Sequence, residues 1–199
     1  MPLLGARYAG RLIWHRCLGS GSWRSRNSPP GGDGFRSWPP QIDQGDGERY
    51  GLNFAVLNRN KRSIVLDLKD AADRERFLSL CTKADVLIEN NRPSAMDRLG
   101  LGFAEVKRVQ PRIVYCSVSG YGHEGPYSKR GAFDVAVQAM SGYMSVTGEE
   151  DGPPAKCGVP VGDFLTGASW ASSSRDCFVA GLWASRVSRS GRWGKRIQT

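Results

Sequence analysis

Apolar and polar positions alternate with two different periods over residues 62–119. Ser63–Asp67, Val86–Glu89 and Ile113–Val118 are short apolar runs rich in β-branched residues, which is typical of buried strands. After the first run, apolar residues recur at helical spacing behind Asp70, whose side chain can cap the start of a helix. Strands separated by helical crossovers of this length favour a parallel sheet, so the pattern predicts a Rossmann-like α/β fold with helices flanking the sheet.

Three polar segments follow the apolar runs, at 67–69, 89–92 and 119–121. In parallel sheets ligands bind beyond the carboxyl ends of the strands, so we expect a binding site to include these segments. Further along the chain, a helix is predicted over Phe133–Met144, and a second loop leads to a Gly-Asp pair at Asp163.

Charge divides the chain into three parts. Of the formal net charge of +9, residues 1–32 contribute +5 and the residues from 167 onward contribute +5, which leaves the middle near −1. The terminal bases are scattered among Gly, Ser and Trp and match no nucleic-acid motif. We therefore expect no nucleic-acid partner, although basic proteins often bind phosphate backbones.

The five cysteines lie far apart, form no C-x-x-C pair and are accompanied by only two histidines. This spacing is typical of reduced thiols inside a cell and offers no metal site, so a cytoplasmic protein without bound metal is predicted. No apolar run approaches the roughly 18 residues of a membrane helix, so no membrane partner is expected.

The first thirty residues allow two interpretations. An Arg-rich, Ser-containing start without acids is typical of a mitochondrial transit peptide. Glycines at 19–21 and the 27–32 segment break any long amphipathic helix, and the other end of the chain is equally basic, which favours sequence that is out of frame with the fold. Both interpretations stay open.

Five stretches occur in the order found in one enzyme family. They are Asn58–Ser63, Val86–Gly100, Cys116–Tyr127, Gln138–Gly142 and Gly158–Gly167. As a set they resemble the third family of CoA-transferases, whereas no single short motif among them is specific. The resemblance implies that residues 31–167 are an incomplete large domain of such an enzyme. It leaves 1–30 as an unmatched basic segment, predicted to be disordered, and 168–199 as an unmatched basic tail.

The resemblance also implies the site residues. Asp163 stands where the family has its catalytic aspartate. The positions implied to bind CoA are Leu66, Lys69, Asn90, Asn91, Arg98, Arg130, Phe133 and Asp134. The first two would meet the adenosine part, Arg98 a phosphate, and the Phe133–Asp134 pair the pantetheine end. Coenzyme A is implied as a substrate, and no permanently bound cofactor is implied.

The chemistry of CoA supports these residue types independently. Its three phosphates need cations, and a guanidinium such as that of Arg98 can hold phosphate oxygens in two parallel hydrogen bonds. An aspartate carboxylate can attack the thioester carbonyl, which makes one residue both nucleophile and temporary carrier. Backbone amides of the flanking Gly162 and Gly167 are predicted to stabilise the developing oxyanion.

Two alternatives remain beside CoA transfer. The same fold family contains α-methylacyl-CoA racemases, in which a histidine precedes the aspartate seen here as Asp134. Phe133 occupies that position and cannot exchange a proton, so racemisation requires His123 to fold into the site. The second alternative is an inactive or CoA-binding remnant, because the family's second domain finds no counterpart. The resemblance implies acyl-CoA and carboxylic acid substrates and an interlocked homodimer; the donor and acceptor acids cannot be read.

Overall fold

The computed structural model describes residues 3–5, 24–28, 32–43, 45, 49–58, 61–167 and 169, with backbone alone for the first two segments. Five strands form one parallel sheet: β1 (Leu3–Gly5), β2 (Arg24–Ser28), β5 (Arg62–Val65), β6 (Val86–Glu89) and β7 (Val114–Ser117). A separate antiparallel pair consists of β3 (Gln41–Asp43) and β4 (Arg49–Gly51). The predicted parallel sheet is therefore confirmed.

Strand β1 lies at the centre of the sheet, whose order is β5-β2-β1-β6-β7. From β1 the chain first builds one side of the sheet, through β2 and β5, and then returns to build the other side with β6 and β7. The order of strands therefore reverses between β1 and β6. In open α/β sheets the crevice at such a reversal, beyond the carboxyl ends of the strands, is the usual ligand site.

Six helices accompany the strands in the described part of the chain. They are α1 (Leu52–Asn58), α2 (Ala71–Cys81), α3 (Ala95–Arg98), α4 (Phe103–Val109), α5 (Asp134–Met140) and α6 (161–167), with 3-10 turns at Gly34–Ser37 and Tyr143–Val146. The predicted cap of α2 is confirmed, since the Asp70 carboxylate accepts a 3.0 Å hydrogen bond from the Asp73 amide. The helix predicted over Phe133–Met144 ends early because Gly142 adopts φ +78°, which an α-helix cannot continue.

A hydrophobic core fills the space between the sheet and α2, α3 and α4. Its members are buried apolar side chains from the strand ends and helix faces: Leu66, Phe77, Cys81, Ala84, Leu87, Met96, Leu101, Val106 and Ile113. All four residues of β6 are buried, as expected for an interior parallel strand covered on both faces. This packing holds the carboxyl ends of β5, β6 and β7 in fixed positions.

The structure differs from the sequence prediction upstream of residue 31. Leu3–Gly5 and Arg24–Ser28 are strands of the parallel sheet, where the sequence analysis predicted no strand. Arg24–Ser28 has only polar side chains and no β-branched residue, so local propensity gives no signal for it. Its hydrogen bonds come from β1 and β5 on either side. Apart from Ser169, the unmatched basic tail over 168–199 lies outside the described residues.

Candidate active site

The carboxyl ends of β5, β6 and β7 lie along one edge of the sheet because the strands are parallel. Leu66–Lys69 follow β5, and Asn90 and Asn91 follow β6. Two strands separate β5 from β6. At about 4.8 Å per strand the two segments are about 14 Å apart across the sheet, a distance that one extended nucleotide ligand can span.

Asp134 and Asp163 lie together where α5 and α6 begin. The Asp134 Oδ1 atom accepts hydrogen bonds from the backbone amides of Gly162, at 2.7 Å, and Asp163, at 3.2 Å. These amides belong to the first turn of α6, whose N–H groups have no partner within the helix. Asp134 therefore caps α6 from another helix, and this contact places Asp163 beside the start of α5.

The half-buried Asp163 has a pKa above the ordinary carboxyl value. Burial is the larger cause and the neighbouring Asp134 the second, because each disfavours a negative charge on Asp163. No described residue donates a hydrogen bond to its side-chain oxygens. A carboxylate that is partly desolvated and beside a like charge is a stronger nucleophile than one that is fully solvated.

Gln138 links Asp134 to the loop that precedes α6, and the sequence alone gave Gln138 no role. Its side chain is 2% exposed, donates from Nε2 to the Asp134 carboxylate, and accepts a 2.9 Å hydrogen bond from the Cys157 amide. Both the N–H and the C=O group of the Gln138 side-chain amide are therefore hydrogen-bonded. These bonds fix the orientation of the Asp134 carboxylate. The available signal was a polar residue four positions after Asp134, on the same helix face.

The prediction that the Gly162 amide stabilises an oxyanion is wrong in this structure. That N–H already donates to Asp134 Oδ1. A backbone amide has one hydrogen, so it cannot also serve a developing oxyanion while this bond exists. Gly162 has another use: a Cβ at this position would lie 3.0 Å from the same carboxylate oxygen, so its missing side chain lets Asp134 approach.

The predicted CoA contacts after β5 differ in what they can offer a ligand. Leu66 is only 3% exposed as a whole residue and its side chain belongs to the core, so it offers a ligand very little surface. Lys69 is exposed, and its backbone is held by a 3.0 Å bond to Asp67 Oδ1 and a 2.7 Å bond from Arg74. Its ammonium group therefore extends from a fixed backbone.

The predicted cations and the aromatic residue are exposed. Arg98 is exposed and forms no ion pair with a described residue, whereas nearby Glu105 pairs with Arg108. The Arg130 guanidinium carbon lies 4.6 Å from the centroid of the Tyr127 ring, which positions this cation over an aromatic face. Phe133 is 81% exposed. A large aromatic side chain in this state offers apolar surface that nothing in the described part of the chain covers.

Asn90 and Asn91 are held by the sheet itself. Asn90 donates its side-chain amide to the Val118 carbonyl at 2.8 Å, and the Asn91 backbone amide donates to Glu89 Oε2 at 2.7 Å. Glu89 is 5% exposed and also accepts from the Ser117 hydroxyl. Glu89 was not predicted as a site residue. An acidic residue at the end of an apolar run indicates only where a strand ends.

The structure does not bring His123 to the aspartate pair. Its Nε2 atom lies 2.8 Å from the Ser117 hydroxyl, at the end of β7, and neither Asp134 nor Asp163 has a described hydrogen bond to it. The condition for racemisation is therefore not met here. Within the described residues, no group of three or more His, Cys, Asp or Glu side chains could hold a metal ion. No described helix is both long and apolar enough to cross a membrane.

Residues 27–180 match the sequence model of CoA-transferase family III, which is more than half of the chain. The chain is 50% identical over 131 residues to an acetyl-CoA:oxalate CoA-transferase of Acetobacter aceti, an alignment covering 65% of this chain and 32% of that protein. It is 42% identical over 167 residues to a succinate–glutarate CoA-transferase of Agrobacterium fabrum, covering 83% and 41%. The chain thus spans about a third to two fifths of the length of these relatives.

A solved structure shows the same fold. A CaiB/BaiF family protein from Brucella suis superposes with a TM-score of 0.85 at 34% sequence identity, over 90% of this chain and 48% of that one. The superposition includes most of the described residues. The α/β architecture with a parallel sheet is thus shared with a member of that family.

Proposed function

The chain belongs to CoA-transferase family III, and from that premise we propose that it takes part in moving coenzyme A from an acyl-CoA donor to a carboxylic acid acceptor. Asp163 is the acyl-accepting nucleophile in this proposal. The observation that supports it most directly is the placement of Asp163 at the first turn of α6, half-buried and with its pKa raised.

The reaction proceeds in four balanced displacements. An Asp163 oxygen attacks the donor thioester carbonyl, the C–S bond breaks, and a mixed anhydride and the CoA thiolate result. The thiolate attacks the Asp163 carbonyl and releases the donor acid as a carboxylate. The acceptor carboxylate attacks the aspartyl thioester, which forms a second anhydride and frees the thiolate. The thiolate then attacks the acceptor's acyl carbon, which yields the new acyl-CoA and regenerates Asp163.

Asp134 serves two purposes in this chemistry. It holds the first turn of α6, and its charge adds to burial, the larger cause, in raising the pKa of Asp163. A carboxylate of higher pKa is a better nucleophile, and it remains ionised as long as its pKa stays below the working pH. Gln138 fixes Asp134 in this position through its amide.

The nucleotide part of CoA lies along the carboxyl edge of the sheet in our proposal. Leu66 and Lys69 meet the adenosine part, Asn90 and Asn91 make a second contact through backbone and amide groups, and Arg98 binds a phosphate. Arg130 and Phe133 flank the pantetheine arm. The exposed state of the three cations and of Phe133 supports these assignments. Desolvation by a bound ligand strengthens each charged contact.

The names of the relatives suggest the class of acid. They refer to oxalate, succinate, glutarate and mesaconate, all of which are short dicarboxylic acids. We propose a short dicarboxylate as one of the two acids exchanged. A homodimer and a cytoplasmic location remain proposals, the latter supported by the wide spacing of the cysteines.

Chemical trapping of the acyl-enzyme tests the proposal. The chain is mixed with succinyl-CoA and quenched with hydroxylamine, which converts an aspartyl anhydride or thioester into a hydroxamate. Peptide mass spectrometry should locate this modification at Asp163. The Asp163→Asn variant should remain unmodified, since an amide does not attack the thioester.

Asp151→Asn is the matched control, because Asp151 is an exposed aspartate in a loop. Its φ of 58° is a conformation that asparagine tolerates. Modification at Asp163 should persist in this variant. Equal labelling of Asp163 and surface carboxylates would contradict a nucleophilic role.

A further inference from the structure

Glu89 is a buried carboxylate at the point where the strand order reverses. It is the last residue of β6 and is 5% exposed. Its two oxygens accept from different elements: Oε2 from the Asn91 backbone amide at 2.7 Å, and Oε1 from the Ser117 hydroxyl at the end of β7. Glu89 therefore contacts the end of β7 and the beginning of the loop that follows β6.

Ser117 extends the contact to an exposed loop. Its hydroxyl has one hydrogen, which it donates to Glu89, so its oxygen accepts from the His123 Nε2–H group 2.8 Å away. The hydrogen bonds run from His123 through Ser117 to Glu89, and Asn91 meets the same carboxylate from the other side. His123 Nε2 carries a proton in this arrangement and is a donor rather than a base.

The loop that His123 anchors has one other side-chain bond to the rest of the described chain, from the Tyr121 hydroxyl to the Met140 sulfur at 3.2 Å. It covers residues 121–130, contains Gly122 and Gly125 at positive φ, and is mostly exposed. Its remaining side-chain bonds include the internal contact of Ser128 with the Gly125 carbonyl at 2.8 Å. Arg130 is the last residue of this loop and Phe133 follows shortly after it, so the position of the loop determines where these two side chains lie.

We infer that Glu89 and Ser117 are positioning residues, which hold the 121–130 loop through His123 at a fixed place relative to the Asn90–Asn91 segment. This inference rests on the proposed function, because CoA is the ligand that contacts both segments in that proposal. A loop that is already ordered before CoA binds loses less conformational entropy when it contacts the pantetheine arm. The adenosine side, bound by residues after β5 and β6, does not depend on the loop.

Calorimetry with two ligands tests the inference on the full chain. One ligand is CoA, and the other is adenosine 3′,5′-bisphosphate, which lacks the pantetheine arm. Ser117→Ala breaks the bridge and leaves the Asn91–Glu89 bond intact. It should weaken CoA binding about tenfold, as expected for the loss of one bridging hydrogen-bond pair. Binding of the bisphosphate should change by less than about twofold.

His123→Ala removes the other end of the bridge at an exposed site, so it gives a second variant that leaves the core unaltered. It should reproduce the loss of CoA affinity expected for Ser117→Ala. The double variant should bind CoA no more weakly than either single variant, because both substitutions remove the same interaction. Ser145→Ala is the matched control: it removes an exposed hydroxyl that makes the same kind of local bond, to the Gly142 carbonyl at 2.7 Å, outside the loop and the bridge. It should leave both affinities unchanged.

Amide hydrogen exchange supplies a readout that does not involve a ligand. Residues 121–130 should exchange faster in Ser117→Ala and His123→Ala than in the unaltered chain, with the core strands unchanged. Equal weakening of both ligands, no change in either, or fully additive single variants would overturn the positioning role. Failure of the unaltered chain to bind CoA would contradict the proposed function itself, and exchange would still decide whether the bridge holds the loop.

Discussion

At the scale of single residues, the Asp134 and Asp163 carboxylates, at the starts of α5 and α6, have the largest influence on the site. Asp134 accepts hydrogen bonds from the backbone amides of Gly162 and Asp163, so the shape of the site depends on this one side chain. After burial, its charge is also the second cause of the raised pKa of Asp163. Active sites commonly retain such like-charge contacts at a cost to stability, because the contact serves reactivity. Both effects can be measured separately.

Replacing Asp134 should lower the pKa of Asp163. Asp134→Asn keeps an oxygen that can accept from the α6 amides but removes the negative charge, which is the second cause of the raised pKa. Carbon-13 NMR titration of the Asp163 carboxyl measures the change. Burial remains in the variant, so the pKa should not fall below the ordinary carboxyl range. An unchanged or higher pKa would show that the charge of Asp134 does not act on Asp163.

Asp163→Asn should leave the folded chain equally stable or more stable at about pH 7. The raised pKa means that folded Asp163 keeps its proton to higher pH than it does in the unfolded chain, so stability is lost as pH rises from the ordinary carboxyl range through the folded-state pKa. Thermal unfolding at a series of pH values measures this. The advantage of the variant should disappear in acid, below the ordinary carboxyl pKa, whereas Asp151→Asn should show no such trend.

At the scale of elements, close approach between loops constrains the segment after β7. A Cβ built on Gly120 would lie 2.0 Å from the Cβ of Ala132, so the two ends of the 121–130 loop pass each other at this glycine. The absence of a side chain at Gly120 thus lets the loop close on itself before α5 begins.

Gly120→Ala should therefore destabilise the chain by about 1–3 kcal/mol, the usual cost of forcing extra volume into a packed site. Urea unfolding followed by circular dichroism measures the free energy of unfolding. Gly158→Ala makes the same change where a Cβ would meet nothing within 4 Å, and it should have little effect. Similar losses for both variants would mean that the contact with Ala132 relaxes freely.

The elements also show what local sequence can predict. The β6 strand begins and ends where the apolar run does, and α2 begins after its predicted cap. Both could be predicted because burial patterns and helix caps depend on residues that are close together in the sequence. Strand β2 could not be predicted, since its five polar side chains form a strand only between two partners distant in sequence. Gln138 and Glu89 could not be predicted for the same reason: each has one hydrogen-bond partner that is distant in sequence, Cys157 for Gln138 and Ser117 for Glu89.

At the scale of the whole molecule, the core and the site have different exposure to solvent. Cys81 lies in the core with 0% exposure, and burial raises the pKa of its thiol to about 12, whereas Cys157 is half-buried near the site. Thiol reagents attack the thiolate, so the reaction of Cys81 requires the fold to open. Its modification reports on the stability of the whole domain.

Cys81 should accordingly be modified far more slowly than Cys157 under native conditions, and CoA should slow it further by stabilising the folded state. Time-resolved mass spectrometry of both peptides with a small alkylating reagent measures the two rates. In denaturant the rates should converge. Rapid native labelling of Cys81 would show that the core opens locally.

The central position of β1 has a consequence for how the chain is made. Leu3 of β1 pairs on one side with Val86, which is synthesised much later than Leu3, and β7 follows later still. The edge of β1 that pairs with β6 therefore remains unpaired until most of the described chain has been synthesised. Such long-range pairing slows folding and lengthens the period in which a nascent strand edge is open to other chains.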